Sequence, residues 1–99
     1  MALFMVYGLD DPEHGLERRM ANRPAHLAWV RGLGEGVRMA GPVFADDGET
    51  FAGSLVVFEA ESLEAVRALA AEDPYARAGV FARQEIRPFK WLINPPADL

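Results

Sequence analysis

Two continuous apolar runs, Ala2–Gly8 and Phe51–Ala60, limit this chain more than any other feature. In the first, Leu3, Met5 and Tyr7 occupy one alternating set and Phe4 and Val6 the other. A strand wet on one side alternates apolar with polar residues, whereas a strand apolar in both sets must be covered on both faces. Ser54-Leu55-Val56-Val57-Phe58 repeats the pattern in the second run. The chain must therefore build a sheet with two central strands and cover both of its sides. With 99 residues it has one domain, spanning 1–99, in which to do so. At that size folding removes only roughly 60–65% of the unfolded chain's surface from water.

The segments between the runs supply the rest of the sheet and its cover. Asp10-Asp11-Pro12 stops the first strand. From Gly15 to Glu35 the pattern turns helical, with Leu16, Met20, Leu27, Val30 and Leu33 at helical spacing. Pro24 within it either kinks one helix or starts a second segment, and Gly34 and Gly36 are suited to the stop. Val37–Phe44 reads as a strand, but Gly41-Pro42 confines it to an edge or gives it a bulge. Ala45-Asp46-Asp47-Gly48-Glu49 is a hairpin signal. Ser62 caps a helix whose buried face is Leu63, Val66, Leu69 and Ala70, and Asp73-Pro74-Tyr75 breaks it. Val80–Trp91 alternates as an edge strand, with Arg83, Glu85 and Arg87 on one face and Ala82, Gln84 and Ile86 on the other. Asn94–Leu99 reads as an irregular, frayed tail.

The order β-α-β-β-α-β, with strands one and three central, predicts strand order 4-1-3-2. That is a ferredoxin-like α+β sandwich with a four-stranded antiparallel sheet. Both helices then lie on one face, and no element remains for the other. A second copy of the chain is the economical cover, so a homodimer packed sheet to sheet is expected.

Charge and composition exclude several function classes. Ten basic residues against fifteen acidic ones leave a net charge of -5, the wrong sign for a general nucleic-acid binder. The absence of cysteine removes disulfides, thiolate metal sites and cysteine nucleophiles. The opening MALFMVYGLDD has no basic leader and is too short an apolar run to span a membrane. A cytoplasmic protein with no membrane partner is expected.

Few residues are candidates for chemistry. His14, in Asp-Pro-Glu-His-Gly, reads as a solvated loop residue. His26 falls within the arc of Leu27, Val30 and Leu33, so its imidazole should point toward the sheet. Arg18, Arg19 and Arg23 precede it. Such arginines can hold a carboxylate substrate while the imidazole moves a proton, and Arg19 and Arg23 are the candidate anchors. The plainer alternative is a histidine satisfied by a carbonyl, with the arginines solvated or paired to Glu13 and Glu17. Asp73 can orient His26, or can simply cap the turn that follows it. Tyr75 and the Gly41-Pro42 bend are candidate walls of a ligand site; packing and backbone geometry are their plainer roles. No phosphate loop, dinucleotide fingerprint, nucleophile elbow or zinc helix occurs, so neither metal nor cofactor is expected.

Five segments in order then resemble a known family. They are Arg23-Pro24-Ala25-His26-Leu27, Ala40-Gly41-Pro42, Glu61-Ser62-Leu63-Glu64-Ala65, Asp73-Pro74-Tyr75 with Ala78-Gly79-Val80, and Ile86-Arg87-Pro88-Phe89. Together they resemble the motifs of the YCII (YciI-like) proteins, from the first strand to Lys90. The resemblance implies dimeric α+β barrels of ferredoxin-like subunits, with a histidine and an aspartate as active-site pair at positions matching His26 and Asp73. One relative is a dehydrochlorinase of chloroaromatic breakdown, and the fold resembles muconolactone isomerase. The implied activity is cofactor-independent proton transfer, of lyase or isomerase type, on a small aromatic or lactone-like acid. The hairpin Asp46-Asp47-Gly48-Glu49 is shorter here than in many relatives. A non-catalytic dimeric ligand-binding or accessory domain is the competing expectation.

Overall fold

The computed structural model describes residues 1–99. Strands β1 (Ala2–Asp10) and β3 (Phe51–Ala60) pair antiparallel at the middle of the sheet. β2 (Val37–Phe44) flanks β3 and β4 (Phe81–Phe89) flanks β1, giving the order β2-β3-β1-β4. This is the ferredoxin-like α+β arrangement, with the two doubly apolar runs central as their patterning requires. Helices α1 (Gly15–Gly32), α2 (Leu63–Glu72) and the short α3 (Pro74–Arg77) complete it. A single 3-10 turn (Gly34–Gly36) follows α1. No helix is long and apolar enough to cross a membrane.

The core lies between the sheet and the helices. Phe4, Val6, Val56, Phe58 and Ala60 of the sheet meet Val66 and Ala70 of α2, with Trp29, Leu33 and Ile86 packed around them. Each fully buried Val or Phe contributes roughly 1.5–3 kcal/mol relative to exposure. Ser62 starts α2 by accepting the Ala65 N–H at 3.1 Å.

Helix α1 does not bury the stripe that its hydrophobic spacing suggests. Leu16 and Met20 are about half exposed, at 49% and 51%, while Arg19 and His26 are buried. Pro24 neither kinks off a second segment nor ends the helix. Partners on the sheet explain the rotation. Asp10 of β1 and Ser54 of β3 offer polar groups under α1, so the helix turns a polar side inward where those groups can be satisfied.

Two bulges re-aim aromatic side chains. In a regular strand alternation places Phe51 opposite to Ser54 and Val56, and Phe81 with Arg83, Glu85 and Arg87. The β2–β3 register steps from Val43↔Gly53 to Phe44↔Phe51, leaving Ala52 as the extra residue. The β1–β4 register steps from Leu9↔Arg83 to Asp10↔Phe81, leaving Ala82 extra. Each extra residue turns its phenylalanine to the helix side of the sheet. Phe81 can lie there only because position 8 is glycine: a Cβ on Gly8 would stand 2.7 Å from its ring.

The tail departs from the frayed reading. It has no regular structure, but Asp98 accepts from Arg38 Nη2 at 2.6 Å. Arg38 also donates to Glu59, which alternates with the core residue Phe58 and so faces away from the helices. The tail therefore leaves β4 at one edge of the sheet and is fastened to β2 at the other. The expectation that this chain has nothing to cover the face away from the helices needs correcting: Leu3 and Val57, both on it, are buried. The cover is partial: Met39 and Phe89 on that face, and Leu92 and Ile93 of the tail, remain exposed.

Candidate functional site

His26 sits in the middle of α1, facing the start of α3. Its Nδ1 lies 2.7 Å from Asp73 Oδ1, and both side chains are about nine-tenths buried. The same Oδ1 accepts the Tyr75 N–H at 2.9 Å, so Asp73 caps α3 and engages His26 with one oxygen. A carboxylate can only accept, which puts a proton on Nδ1, so that the neutral imidazole carries its lone pair on Nε2. Pro74 at the first helical position supports the cap, since its missing N–H would have been unpaired there anyway. Gly79, at φ +74, ends the segment in a conformation that few other residues adopt. Its carbonyl accepts from Arg18 Nη1 at 3.0 Å, fastening α3 to α1.

Tyr75 is the second fixed element. Its ring stacks on His26 at 3.8 Å between centroids and 9° between planes. Phe81 meets the Tyr75 ring edge-on at 6.2 Å and 89°. The Arg19 guanidinium lies over the same ring, 4.6 Å from its centroid. Arg19 and His26 are seven residues apart on α1, about 10.5 Å of rise, so the phenol ring is wedged between them. Burial raises the Tyr75 pKa, against the opposing pull of Arg19, and keeps the side chain a neutral phenol.

Arg19 is committed to protein partners. Its Nε and Nη2 reach both oxygens of Asp10 at 2.8 and 2.7 Å, and Nη2 also donates to Ser54 at 2.9 Å. Burial works against its charge, but the Asp10 carboxylate outweighs burial and raises its pKa. The partner is thus Asp10, not Glu13 or Glu17. Arg19 stands in the wall as a neutralised strut. Arg23 is exposed and enters no ion pair or side-chain hydrogen bond; its guanidinium lies 6.0 Å from the Phe51 ring centroid.

These groups surround a cavity of about 280 Å³ between α1 and the β2–β3 edge. Arg19, Arg23, His26, Arg31 and Tyr75 line it on one side, with Gly41, Pro42, Phe51 and Ser54 on the other. An engineered cavity of about 150 Å³ accepts benzene, so this one has room for a substituted six-membered ring. All seven site residues drawn from the sequence thus border one space, or in Asp73's case support its wall. His14 is exposed and lies outside it. No group of three His, Asp or Glu side chains converges anywhere in the chain.

Sequence reasoning missed Asp10, Ser54, Phe51, Phe81 and Arg31. Asp10 reads as a strand terminator and Ser54 as part of an apolar run. Simple alternation puts Phe51 and Phe81 on the wrong face. Only Arg31 carried a usable signal: it falls on the same four-residue row of α1 as Arg19, Arg23 and Leu27.

The YCII-related domain profile matches residues 2–90. The chain belongs to the YCII family. Protein YciI of Escherichia coli O6:H1 is 42% identical over 95 residues, covering 89% of this chain and 96% of that protein. An uncharacterized Haemophilus influenzae protein is 39% identical over 94 residues, covering 88% and 95%. Among solved structures, 5-chloro-2-hydroxyhydroquinone dehydrochlorinase (TftG) of Burkholderia phenoliruptrix, in complex with 2,5-dihydroxybenzoquinone, is similar at 33% identity and TM-score 0.80. It covers 89% of this chain and 93% of its own. Within the YCII family this likeness points to a small-molecule enzyme type of fold.

Proposed function

We propose that this YCII protein catalyses proton transfer on a small planar organic acid without a cofactor, with His26 as the proton carrier and Asp73 as its orienting partner. One observation carries the reading: an imidazole whose Nδ1 is tied to a carboxylate at 2.7 Å and which lines a ring-sized cavity. Its remaining nitrogen, Nε2, is the only one free to meet a ligand. The dehydrochlorinase supplies the reaction type. Loss of HCl needs a base to take a proton while chloride leaves with the C–Cl electron pair, and His26 Nε2 is suited to be that base. Arg23, with no carboxylate of its own, anchors the acid, while Tyr75, Gly41 and Pro42 shape the space. A second copy of the chain packs on the apolar remainder of the outer sheet face, where Met39 and Phe89 are each 40% exposed.

The test uses 5-chloro-2-hydroxyhydroquinone, with chloride release as the readout. Wild type should exceed the uncatalysed rate, and His26→Asn should lose roughly 10²–10⁴-fold in turnover with its fold intact. Full turnover by a folded His26→Asn would sink the acid–base role. Binding by wild type without turnover of this or other small acids would favour the non-catalytic alternative.

A further inference from the structure

The lining of the cavity departs from the composition of the chain. The sequence holds fifteen acidic residues, yet none borders the cavity, while three arginines and a histidine do. Asp10 neutralises Arg19. No carboxylate offsets Arg23 or Arg31, since neither belongs to any ion pair. Both also border an adjoining groove on the outer surface of α1, so both stand where the cavity opens. They lie eight residues apart with Leu27 midway, about 12 Å along the helix axis. Two flexible side chains leaning together from that spacing bracket a six-membered ring. Arg31 also lies in the last turn of α1, where a cation favours the helix dipole. That alone would not place it against an acid-free cavity.

Resting on the reading above, we propose that the ligand is a planar ring carrying two acidic oxygens. Arg23 and Arg31 hold them from either side of Leu27, and Arg31 is the residue that selects for the second charge. The ring slides between α1 and the β2–β3 edge, with its plane available to Phe51 and its edge to His26. A hydroxyquinone has the required chemistry. In 2,5-dihydroxybenzoquinone each hydroxyl is conjugated through the ring to a carbonyl. It therefore ionises as a carboxylic acid does, and the charge spreads over both oxygens. Guanidinium groups suit such delocalised, planar anions.

Three probes of nearly equal shape test the proposal: 2,5-dihydroxybenzoquinone, its monomethyl ether and its dimethyl ether, with two, one and no ionisable hydroxyls. Binding to the full-length protein is read by calorimetric titration at neutral pH. For wild type, each methylation should weaken Kd roughly tenfold or more, the range of a lost charge-assisted hydrogen bond. Arg31→Gln should bring the dihydroxy compound down to the level of the monoether and leave the monoether almost unchanged. Arg31→Lys should recover part of the difference, and thermal unfolding of both variants serves as the control on folding. Equal binding of the three probes, no binding of any, or an undiminished preference for two charges in Arg31→Gln would each overturn the proposal. Its fate is separable from that of the proton-transfer reading. A flat response to ligand charge with His26-dependent turnover defeats only this inference; a graded response with turnover intact in His26→Asn defeats only the other.

Discussion

Arg19 and Arg38 each grip two acceptors, one beneath α1 beside the cavity and the other on the opposite face of the sheet. Arg19 holds Asp10 with two parallel bonds and Ser54 with a third, and the side chains of the pair are 2% and 7% exposed. Arg38 holds Glu59 at 3.1 Å and Asp98 at 2.6 Å, but the Asp98 side chain is 68% exposed. Similar distances therefore conceal different energetics. A buried pair has left water, and each charge depends on the other for its solvation. A wet pair loses little when broken, because water replaces the partner. The buried pair holds the position of Tyr75 and hence of His26, while the exposed pair only fastens a tail.

The two arginines should differ most when Asp10 is replaced. Asp10→Ala strands the Arg19 guanidinium out of water and should cost about 3–5 kcal/mol, read as a lower midpoint in urea unfolding. Joint replacement of the pair by Met and Leu should return most of that stability. A loss below about 1 kcal/mol for Asp10→Ala would show that water reaches Arg19 and that its burial is not the governing term.

Arg38→Ala is the matching change on the other face. The unfolding midpoint should stay within experimental error, while backbone amides of residues 90–99 should exchange faster with solvent. Raising salt should produce a weaker version of the same result, since exposed charges are screened over about 8 Å at physiological ionic strength. A large fall in the midpoint would mean that the tail is part of the cooperative core.

Acid gives the smallest effect and a definite sign. The hydrogen bond from Arg38 lowers the Asp98 pKa below its ordinary value. A carboxylate whose folded pKa is depressed stabilises the structure above its unfolded pKa, and that contribution is lost as pH falls through the folded value. The tail should therefore loosen below the usual aspartate range. The hairpin should hold longer, because bonds from the Thr50 side chain and backbone, and from the Glu49 backbone, push Asp47 down to about 2. Carboxyl chemical shifts followed by NMR would check both; release of the hairpin before the tail would contradict the assignment of partners.

Much of the molecule was legible before any coordinates. Doubly apolar runs belong to central strands because only there is cover available on both faces, and β1 and β3 occupy those places. The inward direction of His26 followed from helical spacing, and the Asp73-Pro74 step announced a cap. The burial of Arg19 was less accessible, because Leu16 and Met20 suggested a different inward stripe. A charged side chain goes inside only when a particular partner waits there, and Asp10 is supplied by another element.

The sequence by itself determined the strand order, the inward histidine and the acid-capped turn opposite it. Each follows from a period or a local bond that a few neighbouring residues complete among themselves. The tertiary structure decided which aromatic rings face the site. A bulge at Ala52 or Ala82 adds one residue against a partner strand, and that count has no meaning until two strands are paired. One extra residue reverses the alternation beyond it, turning Phe51 toward the cavity and Phe81 behind Tyr75. The same dependence on register and on distant partners placed Asp10 under Arg19 and fastened the tail to Arg38.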